Sequence, residues 1–185
     1  ENAAVLSAQG AVDAAQAALA KISGGSRDEQ KAILQSSVEV SQSTYISAQS
    51  SAVNALLSAY ASVDSAVRGT ADGMFSNPDT SNPQFNVINP DSQLTANINN
   101  GRIAMGPILQ RESAQSKSIS TGSDLVAELD KVEEELRTVR AFFDQIIRAL
   151  NAGVPSQSVS ATTIATYQAS AITARASING ALSSI

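Results

Sequence analysis

There is no cysteine, no histidine and no tryptophan in this chain. Without cysteine, disulfides and thiolate chemistry are excluded, and an oxidising compartment would do the chain no harm. Without histidine, the commonest general base near neutral pH and the commonest transition-metal ligand are gone. Aromatics are only 4% of residues, so a core has to be built from Ala, Val, Leu and Ile. Basic residues are outnumbered, 12 against 17 acidic, for a net charge of -5. No basic patch stands out, which argues against nucleic acid as a partner. No run of about 18 apolar residues exists to span a bilayer, and no signal peptide is visible. The chain opens inside a helical pattern at Glu1 and stops on a seam position at Ile185. It reads as an excised segment, with any membrane anchoring supplied by segments outside it.

What is present is a heptad. Leu125, Leu129, Val132, Leu136, Val139, Phe143, Ile146 and Leu150 alternate steps of four and three. Ile164, Tyr167, Ala171, Ala174, Ile178, Ala181 and Ile185 follow the same rule, as do Val5, Ala8, Val12, Ala15, Leu19 and Ile22. A 3.5-residue apolar period is the seam of one helix packed along another. The fold class expected is therefore all-α: an elongated antiparallel bundle or coiled coil in a single domain of 185 residues.

Punctuation sets the expected boundaries. A first helix covers about 1–22 and stops at Gly24-Gly25, the usual glycine signal. Ser26 and Glu29 have capping-box spacing and open a second helix over about 27–68. Its softer stripe runs through Leu34, Val38, Ser41, Tyr45, Ala48, Ala52, Ala55, Leu56, Ala59, Val63 and Val67. Gly69 and Gly73 end it. Ser76-Asn77-Pro78, Ser81-Asn82-Pro83 and Asn89-Pro90 mark an irregular connector over 69–91. Val87 and Ile88 allow a short extended piece. Asp91 or Ser92 caps a helix over about 92–118, with a kink expected at Gly106-Pro107. Ser123 or Asp124 caps one over 123–151, and Ser160 caps the last, 160–185.

Several segments resemble HlyD-type membrane fusion proteins, the periplasmic adaptors of efflux and secretion systems. In Leu19-Ala20-Lys21-Ile22-Ser23-Gly24-Gly25-Ser26-Arg27-Asp28-Glu29-Gln30, residues Leu19, Gly24, Gly25, Arg27, Asp28 and Glu29 fill the places of that family's helix–turn–helix. The stretch from Thr162 to Ile185 is similar to the family's returning helix. Phe75-Ser76-Asn77-Pro78 and Thr80-Ser81-Asn82-Pro83 resemble an insert of divergent members. The match covers the first 30 residues and the last 25 best. The resemblance implies an extracytoplasmic helical stalk whose partners are other subunits of a transport complex or copies of itself. Lipoyl and barrel strands are missing here, as is the Arg, Leu and Ser spacing of adaptors that dock an outer-membrane channel.

No residue constellation calls for catalysis, a cofactor or a metal, and an enzyme is not expected. Glu133, Glu134 and Glu135 point about 100° apart and read as a solvated face with Arg137 and Arg140. Asp72, Asp79 and Asp91, with Asn77, Asn82 and Asn89, could offer oxygens to Ca²⁺, but the EF-hand spacing is absent and turn propensity explains them. Lys21, Arg27 and Lys31 are a weak headgroup signal. Phe143 is a seam residue and Phe142 covers a loop or a neighbouring helix. The alternative to a stalk is an extracytoplasmic sensor bundle of a chemoreceptor or histidine kinase. In that reading Tyr45, Tyr60 and Tyr167 line a ligand pocket between helices. A stalk, by contrast, is expected to carry no polar-lined cavity.

Overall fold

The structure, a computed structural model, describes the backbone of residues 2–185 and the side chains of residues 12–21, 24 and 27–185. It is 79% helical, which makes the fold all-α. Helix α1 spans Asn2–Asp64 and runs on into a π-helical segment, Ser65–Ala71, and a single 3₁₀ turn, Asp72–Met74. A two-residue antiparallel ribbon follows, β1 (Phe75–Ser76) against β2 (Gln84–Phe85). Helices α2 (Ser92–Gln115), α3 (Leu125–Asn151) and α4 (Ala161–Ser184) complete the chain.

Residues up to Ala48 form one compact unit and Gln49–Ile185 another. The first unit is helix throughout. The stop expected at Gly24-Gly25 is not there, because α1 continues through both glycines. A glycine stop needs a left-handed residue after the last turn, and no described glycine has positive φ. Two interior glycines cost about 1 kcal/mol each relative to alanine, too little to break a helix already nucleated on both sides. Val12, Leu19, Ile33, Leu34, Val38, Val40, Tyr45 and Ile46 are all exposed. The expected seam side chains Val5, Ala8 and Ile22, and the capping side chain of Ser26, lie outside the described residues.

The second unit is an up-and-down bundle. Gly101 of α2 meets Phe142 of α3, while Arg111 meets Glu135 and Glu128, so α2 and α3 are antiparallel. Gln168 of α4 reaches Leu150 and Arg175 reaches Asp144, so α3 and α4 are antiparallel too. Each start is capped by a side chain that the sequence offered for it. Asp91 accepts from the Leu94 amide at 2.9 Å, Asp124 from Ala127 at 3.2 Å, and Ser160 from Thr163 at 3.1 Å. Such caps satisfy otherwise orphaned amides and contribute about 1 kcal/mol each.

The seams of α3 and α4 are the core. Val132, Leu136, Val139, Phe143, Ile146 and Leu150 are buried, with Leu125 and Leu129 packed against them. From α4 come Ile164, Ala171, Ala174, Ile178 and Ala181, with Tyr167 and Ile185 partly buried. The α1 stripe enters the core only from Leu56 onward, through Ala59, Val63 and Val67 to Ala71. From Ala59 to Ala71 that stripe repeats every four residues. Each four-residue step overshoots an α-helical turn by about 40°. The wider π-helical turn absorbs the overshoot and keeps Ala66, Val67 and Ala71 facing inward. It also carries the helical winding past Gly69, to Met74, so the expected helix end at 68 is displaced.

The connector is tied down rather than loose. Ile88 bridges Val154, the Phe85 amide donates to Asn99 Oδ1 at 2.9 Å, and Asn89 Nδ2 donates to the Ala149 carbonyl at 2.8 Å. Asn77 takes the left-handed conformation at φ 56°, a turn role asparagine tolerates. A Cβ on Gly153 would come within 2.7 Å of Val87, so glycine is what lets the connector close on the end of α3. Helix α2 passes through Gly106-Pro107 without interruption.

Candidate functional site

Glu128, Glu135, Phe142 and Ala149 stand seven residues apart on α3, each one residue before a seam position. They form a third inward row. Its C-terminal half is apolar, with Phe142 and Ala149 buried. Its N-terminal half is acidic, and the acids need a partner. That partner is Arg111 of α2. Its Nε donates to Glu135 Oε1 at 2.6 Å, its Nη2 to Glu135 Oε2, and its Nη1 to Glu128 Oε1 at 2.6 Å. Tyr60 of α1 donates its hydroxyl to the same Glu128 oxygen, and the guanidinium carbon lies 6.0 Å from its ring centroid. The forked pairing with Glu135 holds the guanidinium even more firmly protonated than usual, against the opposing effect of burial. Burial and the Glu128 carboxylate push the Tyr60 phenol up from its ordinary value.

This corrects the sequence reading of Glu133, Glu134 and Glu135 as one solvated face. Glu133 pairs with Arg137 and Glu134 with Lys131 at the surface, but Glu135 is 6% exposed and belongs to the interior. The heptad spacing of Glu128 and Glu135 was the signal for it. Glu112 stands on a heptad row of α2 with Ile98, Arg102, Met105 and Leu109, which the sequence reading passed over, whereas Arg111 lies off that row and had no such signal.

Glu112 is the unusual member. It is 2% exposed, and neither carboxyl oxygen has a hydrogen-bond partner. Among the described residues only Gln145 Oε1 shares that condition. Burial pushes the Glu112 carboxyl up to about 8, helped by Glu135, Asp64 and Glu128 and opposed by Arg111. Glu112 lines a hollow of about 260 Å³ between α1 and α2, with Leu57, Tyr60, Ala61, Asp64, Leu109, Ser113 and Ser116. Asp64 on its rim pairs with Arg68 at 3.4 Å.

The three tyrosines do not share a pocket. Tyr60 is in the acidic cluster. Tyr167 donates to the Gly73 carbonyl at 2.8 Å, beside the 3₁₀ turn. Tyr45 lies in the first unit, 64% exposed, beside Ser37, Val38, Ser41 and Gln42. The connector acids have an account without a cation. Asp72 and Asp79 both converge on Arg102 of α2, which is 2% exposed, and Asp91 caps α2. Among the described residues no group of three acidic, His or Cys side chains is placed to hold a metal. No helix of the described residues is long and apolar enough to cross a membrane. Neither a family model, nor a curated protein, nor a solved structure matches this chain.

Proposed function

We propose that this chain is a structural and interaction protein: the α-helical stalk segment of an HlyD-type adaptor, working outside the cytoplasmic membrane. One observation carries the reading. Residues 12–48 are helical yet leave Ile33, Leu34, Val38 and Val40 between 55% and 69% exposed. Single exposed apolar residues are ordinary, but a row of them along one helix marks a surface made for another helix. The partners that fit are copies of this chain or other subunits of a transport complex. Its work is mechanical. The helix holds adjoining segments at a set distance. The segment 19–30, where the resemblance puts a turn, is helical, so a partner helix comes from another chain in this reading.

The absence of cysteine makes the test clean. Val38→Cys, treated with a bis-maleimide, is expected to give a cross-linked dimer, the largest product one thiol per copy allows, and Ser118→Cys on the bundle surface is expected to stay monomeric. Purely monomeric Val38→Cys, alone and in cell envelopes, would sink self-association and leave only unlike subunits as partners. Ile33→Glu with Leu34→Glu, made in the Val38→Cys background, should abolish the cross-linked dimer and leave bundle stability within about 0.5 kcal/mol, as exposed substitutions do.

The hollow beside Tyr60 and Glu112 favours a second reading, an extracytoplasmic ligand-sensing bundle of a chemoreceptor or histidine kinase. Flanking sequence separates the two: lipoyl-like strands on both sides fit the adaptor, and membrane helices on both sides fit the sensor.

A further inference from the structure

Two buried glutamates, 112 and 135, and the partly buried Glu128 surround one arginine. Glu128 and Glu135 are fully engaged by Arg111. Elsewhere in the bundle the buried charge of Arg102 is matched by Asp72 and Asp79. Glu112 breaks that rule, with two carboxyl oxygens out of water and no donor for either. A buried acceptor left unmade is costly, and native interiors keep very few. The same residue lines a hollow that no Lys or Arg enters. One side of that hollow is apolar, from Leu57, Ala61 and Leu109. The rest of the lining is Tyr60, whose hydroxyl is bonded to Glu128, with Asp64, Ser113 and Ser116.

We propose that the hollow between α1 and α2 binds a small organic amine as its ammonium ion, with Glu112 as the counter-charge. The ammonium brings three N–H donors, and to meet them the Glu112 carboxyl has to swing from its buried position into the hollow. Its alkyl stem lies along Leu57, Ala61 and Leu109. An apolar wall with a few convergent polar groups is the usual make-up of a small-molecule site. A divalent cation fits the hollow worse, because it needs about six oxygens and the other carboxylate of the hollow, Asp64, is held by Arg68. The proposal rests on residues of the second unit and on the second reading above: an amine bound there favours the sensor over the stalk, whereas its failure leaves the cross-linking test of the stalk untouched.

Binding has a second signature. Glu112 is largely protonated at pH 7, its carboxyl being pushed up to about 8. An ammonium beside it favours the carboxylate, so binding releases a proton.

The test uses the whole chain at pH 7 with n-butylammonium chloride up to about 20 mM. Matched sodium chloride, tetramethylammonium chloride and n-butanol serve as controls. Thermal melting of the unmodified chain is expected to rise by several degrees with butylammonium alone. Calorimetry in two buffers of different ionisation heat is expected to show a proton released on binding. Glu112→Gln should abolish both signals. Should Glu112→Gln fail to fold, Ala61→Phe decides: it fills the hollow from its exposed rim, leaves Glu112 in place, and should also abolish binding. No rise in the unmodified chain overturns the proposal. So does an equal rise with any control, or a signal that survives both variants.

Discussion

Arg102 Nε of α2 donates to Asp72 Oδ1 at 2.6 Å, across 30 residues of sequence, and its Nη2 reaches Asp72 Oδ2 at 3.1 Å. This forked pair pins the 3₁₀ turn after α1 to the middle of α2. The guanidinium is buried, so removing Asp72 leaves its charge with only the exposed Asp79 as a partner. Asp72→Ala is expected to cost about 3–5 kcal/mol in urea unfolding. Asp79 also touches Arg102, but its side chain is 78% exposed, so Asp79→Ala should cost under about 1 kcal/mol. Similar costs for both would mean that the fork does not govern the connector.

Leu136 lies on the α3 seam with no exposure, and Glu134, two residues before it, is at the surface. Leu136→Ala should destabilise by about 2–5 kcal/mol. Glu134→Ala should stay within about 0.5 kcal/mol. Glu135→Ala, at the neighbouring position, should behave like a core change and cost about 3–5 kcal/mol, because Arg111 loses its forked partner. Denaturant midpoints of the three variants give the ranking directly.

Gly101 faces Phe142 so closely that an added Cβ would sit 2.8 Å from the ring. Gly→Ala in a helix normally gains about 1 kcal/mol. Here the ring is held by Phe75 at 6.2 Å and Phe143 at 5.7 Å between centroids, and has little room to yield. Gly101→Ala should therefore destabilise, by about 1–3 kcal/mol, as overpacking does. Gly106→Ala is the control, since a Cβ there meets nothing, and it should be neutral or stabilising. Gly101→Ala melting higher than the unmodified chain would refute the close approach.

Glu112 gives stability a pH slope. Its folded value near 8 lies above the ordinary carboxyl value of 4.5. Between those two pH values the folded state holds a proton that the unfolded chain has lost. Folding stability from this group is thus complete below about pH 4.5 and declines as pH rises towards 8. The groups acting on Glu112 are Glu135, Asp64 and Glu128, which strengthen the effect, and Arg111, which opposes it. Glu112→Gln should flatten the curve and gain on the unmodified chain as pH is raised from 5 to 9. A constant difference between the two across that range would show that Glu112 does not titrate anomalously.

The bundle was legible in the sequence where one residue type decides the outcome. The α3 and α4 seams are period-3.5 rows of aliphatics, and burial follows from that period alone. Asp91, Asp124 and Ser160 cap helices because a short oxygen-bearing side chain there has few other uses. The glycines misled, because a glycine ends a helix only when the next turn has somewhere better to go. Gly24-Gly25 and Gly69 lie in windings that simply continue. Glu135 misled for a different reason: three consecutive glutamates look alike, and only the position of Arg111 on another helix separates the buried one. Arg102 lies on the heptad row of Ile98, Met105 and Leu109, so its burial was legible, although its carboxylate partners were not. Arg111 lies off that row, and only Glu128 and Glu135 on another helix draw it in. The hollow at Glu112 is a property of packing, so no tyrosine count could have placed it, although Tyr60 does line it.

All four phenylalanines of the chain, Phe75, Phe85, Phe142 and Phe143, meet ring against ring in the half of the bundle nearer the connector. The opposite end, where Gln49 reaches Thr121 and Arg111 reaches Glu128, has polar contacts in their place. The two ends should therefore open at different rates. Amide exchange is expected to be slowest around Phe142 and fastest in the first turns of α3, with local unfolding starting at the polar end and stopping at the aromatic one. The bundle then behaves as a hinged clasp, with its fixed end where the connector folds back on itself.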